Sequence, residues 1–536
     1  MKKLFLSAIA VALAGGAYAI PNTFSEGDIV SAEKMNENFQ ALEQQFQGSR
    51  ATTVNCEANE KIGDAISNGY TNITVSGTCT ENLLFFEEWG DNTFALAPRY
   101  LKLTGADSTA KIVDATGGSE NTIFVGAGTT LSMENITISG GTYGVAAYRN
   151  SNLLLSGVTI EGFTQRGISI SDSSYLGVND GGVTISGGSG AQRGIHLGTG
   201  SSGWVHTSNI SNVQTGINLY GQSFTYLYNF TIEASNRGIN LGDHSTVVRY
   251  QDGAGVIEGT SEYAINASQG NFYSWGSGSL TIQKLNGGRG INMVGGASGF
   301  IANLKMPDFE NTGSGWNPAI NVDYNSGLSL EDAEISGSTD GQLISVGKSS
   351  GIELRGLTLS GSSKDSALIG MGRNSIAVIQ NSTITVTSAQ KGIDAWASCR
   401  LDIQNSTISG TVSNALVDVS RGSSAKIDGS TLTLESGKKL MKFAHNSNGD
   451  IGASQLSGTA TDQLLEISKG STVTVGDGST LSQTGADSSD VYLEHLSFLS
   501  VWGDSGTSIG KVGCGFKGFV SADEGTVADL GTNCTE

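Results

Sequence analysis

Two short apolar markers recur along most of this 536-residue chain, and their recurrence limits its fold more than any other feature. The first is a small or apolar residue followed by apolar-x-apolar. It stands as GVAA at 144, GISI at 167, GIHL at 194, GINL at 216 and 238, AINA at 264, GINM at 290 and AINV at 319. It continues as LISV at 343, LIGM at 368, GIDA at 392, LVDV at 416, MKFA at 441 and LEIS at 465. The second is a lone Ile, Leu or Met, running from Ile160, Ile185 and Ile210 to Leu456 and Leu481. Sixteen residues separate the two in ten of fourteen units, and a unit averages about 25 residues.

Between the markers lies an alternating strand, such as Leu153/Leu155, Ile352/Leu354 and Leu401/Ile403, whose period of two puts these side chains on one face. Three residues before the second marker stands a column of turn-tolerant residues: Asn135, Gly157, Gly182, Asn229, Asn303, Asp332, Gly356, Asn381, Asn405 and Gly429. Asn and Gly accept left-handed backbone, so each unit carries a tight corner at one place. The 76 glycines fit this picture; 4 prolines and no Gly-X-Y period exclude collagen. Three short strands and tight corners per unit describe an all-β, single-stranded parallel β-helix of about 15 rungs, roughly 70 Å long. A sandwich would not hold its spacing through fourteen units. The N-x-I…G-I-x-L pattern resembles right-handed parallel β-helix repeats of the pectin-lyase-like superfamily over roughly residues 54–500.

Residues 1–19 read as a secretory signal, with Lys2 and Lys3, an apolar run from Leu4 to Ala14, and Ala17-Tyr18-Ala19 as the cleavage site. The expected location is secreted or periplasmic, with no membrane span in the body. Export favours disulfides, expected as Cys56–Cys79 and Cys514–Cys534, stapling a cap at each end of the rod. Cys399 is left over and reads as a buried free thiol. In 20–50, Met35, Phe39, Leu42 and Phe46 form a short heptad-like seam that needs a partner, either the β body or sister helices in a trimer. This stretch resembles the PNTF…MNENF segments that precede varied secreted bacterial proteins. The body then runs over 51–485, with a short cap helix at Glu60–Ser67, and a C-terminal cap over 486–536.

Fifty acidic against thirty basic residues give a net charge of -20, which argues against a nucleic-acid partner. Function is expected where the repeat is decorated. Trp204, Tyr226, Tyr228, Tyr250 and Phe300 form an aromatic run on the alternating strand, with Trp204, Tyr226 and Phe300 in one register. Phe272, Tyr273 and Trp275 cluster in the same run. Such rings can stack on sugars or contact another chain. His196, Asn218, Asn240, Asn266, Asn292 and Asn321 form an outward column on the G-I-x-L strand, beside Arg166, Arg193, Arg237, Arg289 and Lys391. They either bind sugar hydroxyls and carboxylates or form an amide ladder along the rod. The longest turn, PDFENTGSGWNP, carries Asp308, Glu310 and Trp316.

No catalytic residue is assignable. The NTD, DD and RIK strings of polygalacturonase-type relatives are absent, as are the WIDH and RxPxxR patterns of pectate lyases. Asp394 and Asp418, one rung apart, fall short of an inverting carboxyl pair. The reading is a non-catalytic rod, adhesin-like or structural, that binds polysaccharide or cell-surface glycan without a cofactor, with a homo-oligomer such as a trimer as one outcome of the helical seam. The alternative is a polysaccharide lyase or glycoside hydrolase, with Ca²⁺ the usual cofactor in the lyase case.

Overall fold

The structure is a computed structural model that describes residues 50–85 and 99–535, apart from 127, 251, 312–316, 477, 485–488, 503–506, 516–517, 524–525 and 532–533. The signal segment, the helix expected within 20–50 and Trp316 lie outside them.

The chain winds as a right-handed parallel coil whose strands stack into three sheets. Sheet 1 holds the first-marker strands, such as Tyr143–Ala147, Arg166–Ile170 and Arg193–Leu197. Sheet 2 holds the alternating strands, such as Asn152–Ser156 and Tyr175–Val178, and sheet 3 the second-marker strands, such as Val158–Glu161 and Val183–Ser186. Each strand pairs in parallel with its equivalents one turn before and after. The second markers stand in one register, from Ile160, Ile185, Ile210 and Ile232 onward to Leu432, Leu456 and Leu481. There are about 18 turns rather than about 15. The additional ones lie towards the ends, where strands such as Asn72–Ser76 and Phe498–Val501 keep the register after the markers fade.

The two markers are one packing contact. A Cβ on Gly216 would stand 2.2 Å from Cγ2 of Ile232, so the small residue at one corner makes room for the branched one that follows. Further along, the sizes exchange. Leu343 and Leu368 take the glycine position, and Gly361 leaves the space that their side chains fill. At the MKFA and LEIS units Leu440 and Leu464 occupy the glycine position, and Met441 pairs with Val417 and Leu465, so both repeats start one residue earlier than the marker implied. Two adjacent apolar residues both satisfied the pattern, and only pairing separates them.

The corner between sheets 2 and 3 is left-handed at Asn135, Asn303, Asp332, Asn381 and Asn405, with φ of 51°, 54°, 51°, 50° and 48°. Asn229 departs from the expectation: it lies in the 18-residue strand Phe224–Leu241, and its side-chain oxygen accepts from the Ala254 N–H at 2.9 Å. Thr207 sits likewise inside the strand Ser202–Leu219, so these two turns pass the corner without the left-handed residue.

Serine ladders line the corners. Between sheets 1 and 2, the Ser151 N–H donates to Ser174 Oγ and the Ser447 N–H to Ser471 Oγ, both at 3.1 Å. Between sheets 2 and 3 the N–H groups of Ser382, Ser406 and Ser430 donate in turn to the hydroxyls of Ser406, Ser430 and Ser454, at 3.1 Å each. Backbone groups buried at a bend are satisfied from the neighbouring turn.

At the N-terminal end the short helix Ile62–Ser67 buries Ile62 and Ala65. The Glu81 carboxylate accepts from the N–H groups of Ile62 and Gly63 at 2.8 and 3.0 Å, which suits a helix N-terminus. Cys56–Cys79 and Cys514–Cys534 are disulfide-bonded, and Cys399 is a buried free thiol. Among the described residues no helix is long and apolar enough to cross a membrane.

Candidate binding surfaces

The outward column of sheet 1 is a hydrogen-bonded ladder. Side-chain N–H groups of Asn240, Asn266, Asn292 and Asn321 donate to the side-chain oxygens of Asn218, Asn240, Asn266 and Asn292, at 2.7–2.8 Å. At the first end the Asn218 amide N–H donates to His196 Nδ1 at 2.9 Å, which leaves the histidine proton on Nε2. Burial, then the charges of Arg166 and Arg193, push His196 down to about 3, so it stays neutral. Asn292 is only 3% exposed. Asn218, Asn240, Asn266 and Asn292, candidates for sugar contact, therefore bind one another along the rod. Two of the basic neighbours are also engaged. Arg237 holds Glu262 through two bonds of 2.8 and 2.7 Å, and Arg289 donates to Asn317 Oδ1 at 3.2 Å.

Beyond Asn321 the column changes to Ser345, Gly370, Asp394 and Asp418. The Gln342 side chain covers Gly370, and beside them lies a groove of about 460 Å³ lined by residues including Gln342, Lys391, Asp394 and Trp396. Lys391 Nζ bonds Asp394 at 3.0 Å and Asp418 at 2.7 Å. Burial opposes its charge, but Asp418 and then Asp394 raise its pKa. Burial likewise pushes the Asp394 carboxyl above the usual range. Two carboxylate oxygens sharing one ammonium at these distances lie closer together than the ~6.5–9.5 Å of an inverting hydrolase.

Sheet 2 carries the aromatic surface. Trp204 pairs with Tyr226, Tyr226 with Val248, Val248 with Tyr273 and Tyr273 with Phe300, one register along the rod. Trp204, Tyr250 and Trp275 are 39%, 43% and 46% exposed. Ring centroids lie 5.2 Å apart for Trp204–Tyr226, 6.2 Å for Tyr226–Tyr250 and 4.3 Å for the stacked Trp275–Phe300 pair. Tyr228 stacks on His206 at 4.5 Å, and Phe224 meets Tyr226 edge-on at 4.7 Å. The sequence reading left out His206 and Phe224, although period-two counting from Trp204 and Tyr226 reaches both. Phe272 turns inward and is fully buried.

Beneath this ridge lies a residue that sequence reasoning missed. Arg249 takes an inward position, paired with Leu227 and Ser274, and has no exposed surface. It donates to Ser274 Oγ at 2.7 Å and to the carbonyls of Gly253 and Gly278, the latter at 2.5 Å. Burial pushes its pKa below the usual arginine value. A guanidinium ties two successive corners from inside.

Of the long turn, Pro307 to Asn311 belong to the strand Leu304–Asn311, with Phe309 buried and Asp308 and Glu310 exposed. Among the described residues no group of three or more His, Cys, Asp or Glu is placed to hold a metal ion.

These turns, registers and corners define a right-handed parallel β-helix protein. Residues 107–232 match the family model described as right handed beta helix region. No curated protein matches the chain.

Proposed function

We propose that the protein is an exported rod that binds glycans through the aromatic ridge of sheet 2. The observation that carries this reading is the exposure of Trp204, Tyr250 and Trp275 within four successive turns, with the half-buried Tyr226 and Tyr228 on the turn between Trp204 and Tyr250. Amphipathic rings spaced one turn apart suit the apolar faces of successive sugar residues. The engaged amides of sheet 1, with Arg237 and Arg289, leave the ridge as the better surface for neutral sugar faces. Binding requires no cofactor. The disulfides and the rod fold suit life in the periplasm or outside the cell, and assembly through residues 20–50 is part of the same reading.

The test is retention of the mature protein on neutral and acidic polysaccharides, with and without Ca²⁺, with new chain ends counted in the same samples. Trp204→Ala or Trp275→Ala is expected to weaken retention about tenfold, roughly 1.4 kcal/mol, with little change in melting temperature. Equal retention by both variants overturns the ridge.

A second reading is hydrolysis in the sheet 1 groove, favoured by the raised pKa of Asp394 beside Trp396. New chain ends that disappear in Asp394→Asn would establish it. Ends released only with Ca²⁺ would indicate a lyase.

A further inference from the structure

Of the six basic residues two places before the central apolar residue of sheet 1, three hold a carboxylate, and Arg289 donates to the Asn317 side chain. Arg237 pairs with Glu262, Lys391 with Asp394 and Asp418, and Lys439 with Asp462 and Glu466. Arg166 and Arg193 differ from all four. They pair directly across adjacent turns, and among the described residues neither forms an ion pair. Arg166 donates to Ser169 Oγ at 3.0 Å and lies over the Tyr143 ring, 5.0 Å from its centroid. Both arginines are half-buried.

Like charges directly opposite in a sheet repel, and partial burial sharpens the cost. Burial, and then the Arg166 charge, lower the Arg193 pKa, so the strain is felt at that side chain. A chain with net charge -20 has acids to spare, yet supplies none here. The overall charge acts weakly here, because salt screens beyond ~8 Å, whereas the two arginines stand at paired positions of adjacent strands. Planar forks on adjacent turns match the spaced oxygens of a carboxylate or sulfate.

We propose that Arg166 and Arg193 form a binding site for an oxyanion, a carboxylate or a sulfate ester. The site is on sheet 1 and independent of the sheet 2 ridge.

The test is calorimetric titration and thermal melting of the mature protein with sodium sulfate, sodium glucuronate and glucose, against sodium chloride at matched ionic strength. Sulfate or glucuronate is expected to bind and to raise the melting temperature beyond the chloride control, while glucose does neither. The stronger of the two anions identifies the favoured group. Arg193→Gln should lose at least tenfold in anion affinity and, free of its neighbour's repulsion, melt no lower than wild type without ligand. Arg237→Gln should keep the anion response. Equal responses to chloride and both oxyanions, or an undiminished response in Arg193→Gln, overturn the proposal.

Discussion

Cys399 Sγ donates to the carbonyl oxygen of Trp396 at 3.0 Å, as the hydroxyls of Ser423 and Ser447 do to the carbonyls three residues before them. The Cys399 N–H donates in turn to Ser423 Oγ at 3.0 Å. The odd cysteine is a member of the serine ladder.

Cys399→Ser is therefore expected to hold the melting temperature within a degree or two. Cys399→Ala should lose about 1 kcal/mol with the side-chain bond. Denaturation of both variants beside wild type checks this, and a large loss in the serine variant would remove the cysteine from the ladder. The native thiol should also resist labelling until the rod unfolds.

His196 makes stability depend on acid. Its folded pKa of about 3 lies below the ~6.5 of an unfolded histidine, so unfolding takes up a proton as pH falls below 6.5. The contribution is complete above ~6.5 and declines towards pH 3, by at most about 1.4 kcal/mol per pH unit. His196→Asn supplies a side-chain oxygen for the Asn218 amide and removes the titration. Melting profiles between pH 4 and 7 should be flatter for this variant. Coincident profiles would remove histidine from the acid response.

Arg249→Met retains length but leaves Ser274 Oγ and two corner carbonyls without their donor. A loss of about 3 kcal/mol is expected. Hydrogen exchange should rise at residues 252–255 and 276–280, with the C-terminal turns unchanged. Uniform exchange along the rod would show that Arg249 does not act locally.

The inward columns were legible because a side chain must alternate to reach the interior, and because a small residue such as Gly216 recurs at a nearly constant distance before the branched residue it makes room for, here Ile232. Other features needed coordinates. Serine is common in every turn of this chain, so no count of it reveals that Ser382, Ser406 and Ser430 bond in series. Arg249 breaks the apolar rule that defines an inward position, and Asn229 has the residue type of a left-handed corner but lies in a continuous strand. For the Asn218–Asn321 column, sequence alone allowed either ladder or sugar face; the amide contacts decide for the ladder.

The serine chain that begins at Ser151 is interrupted at Gly270, which follows Ser245 in the column and offers no hydroxyl to its N–H. Pulled from its two ends in a single-molecule trap, the rod is expected to part first between the turns of Ser245 and Ser326. Tension would then peel the molecule into two stiff halves, with the interrupted corner acting as its mechanical fuse.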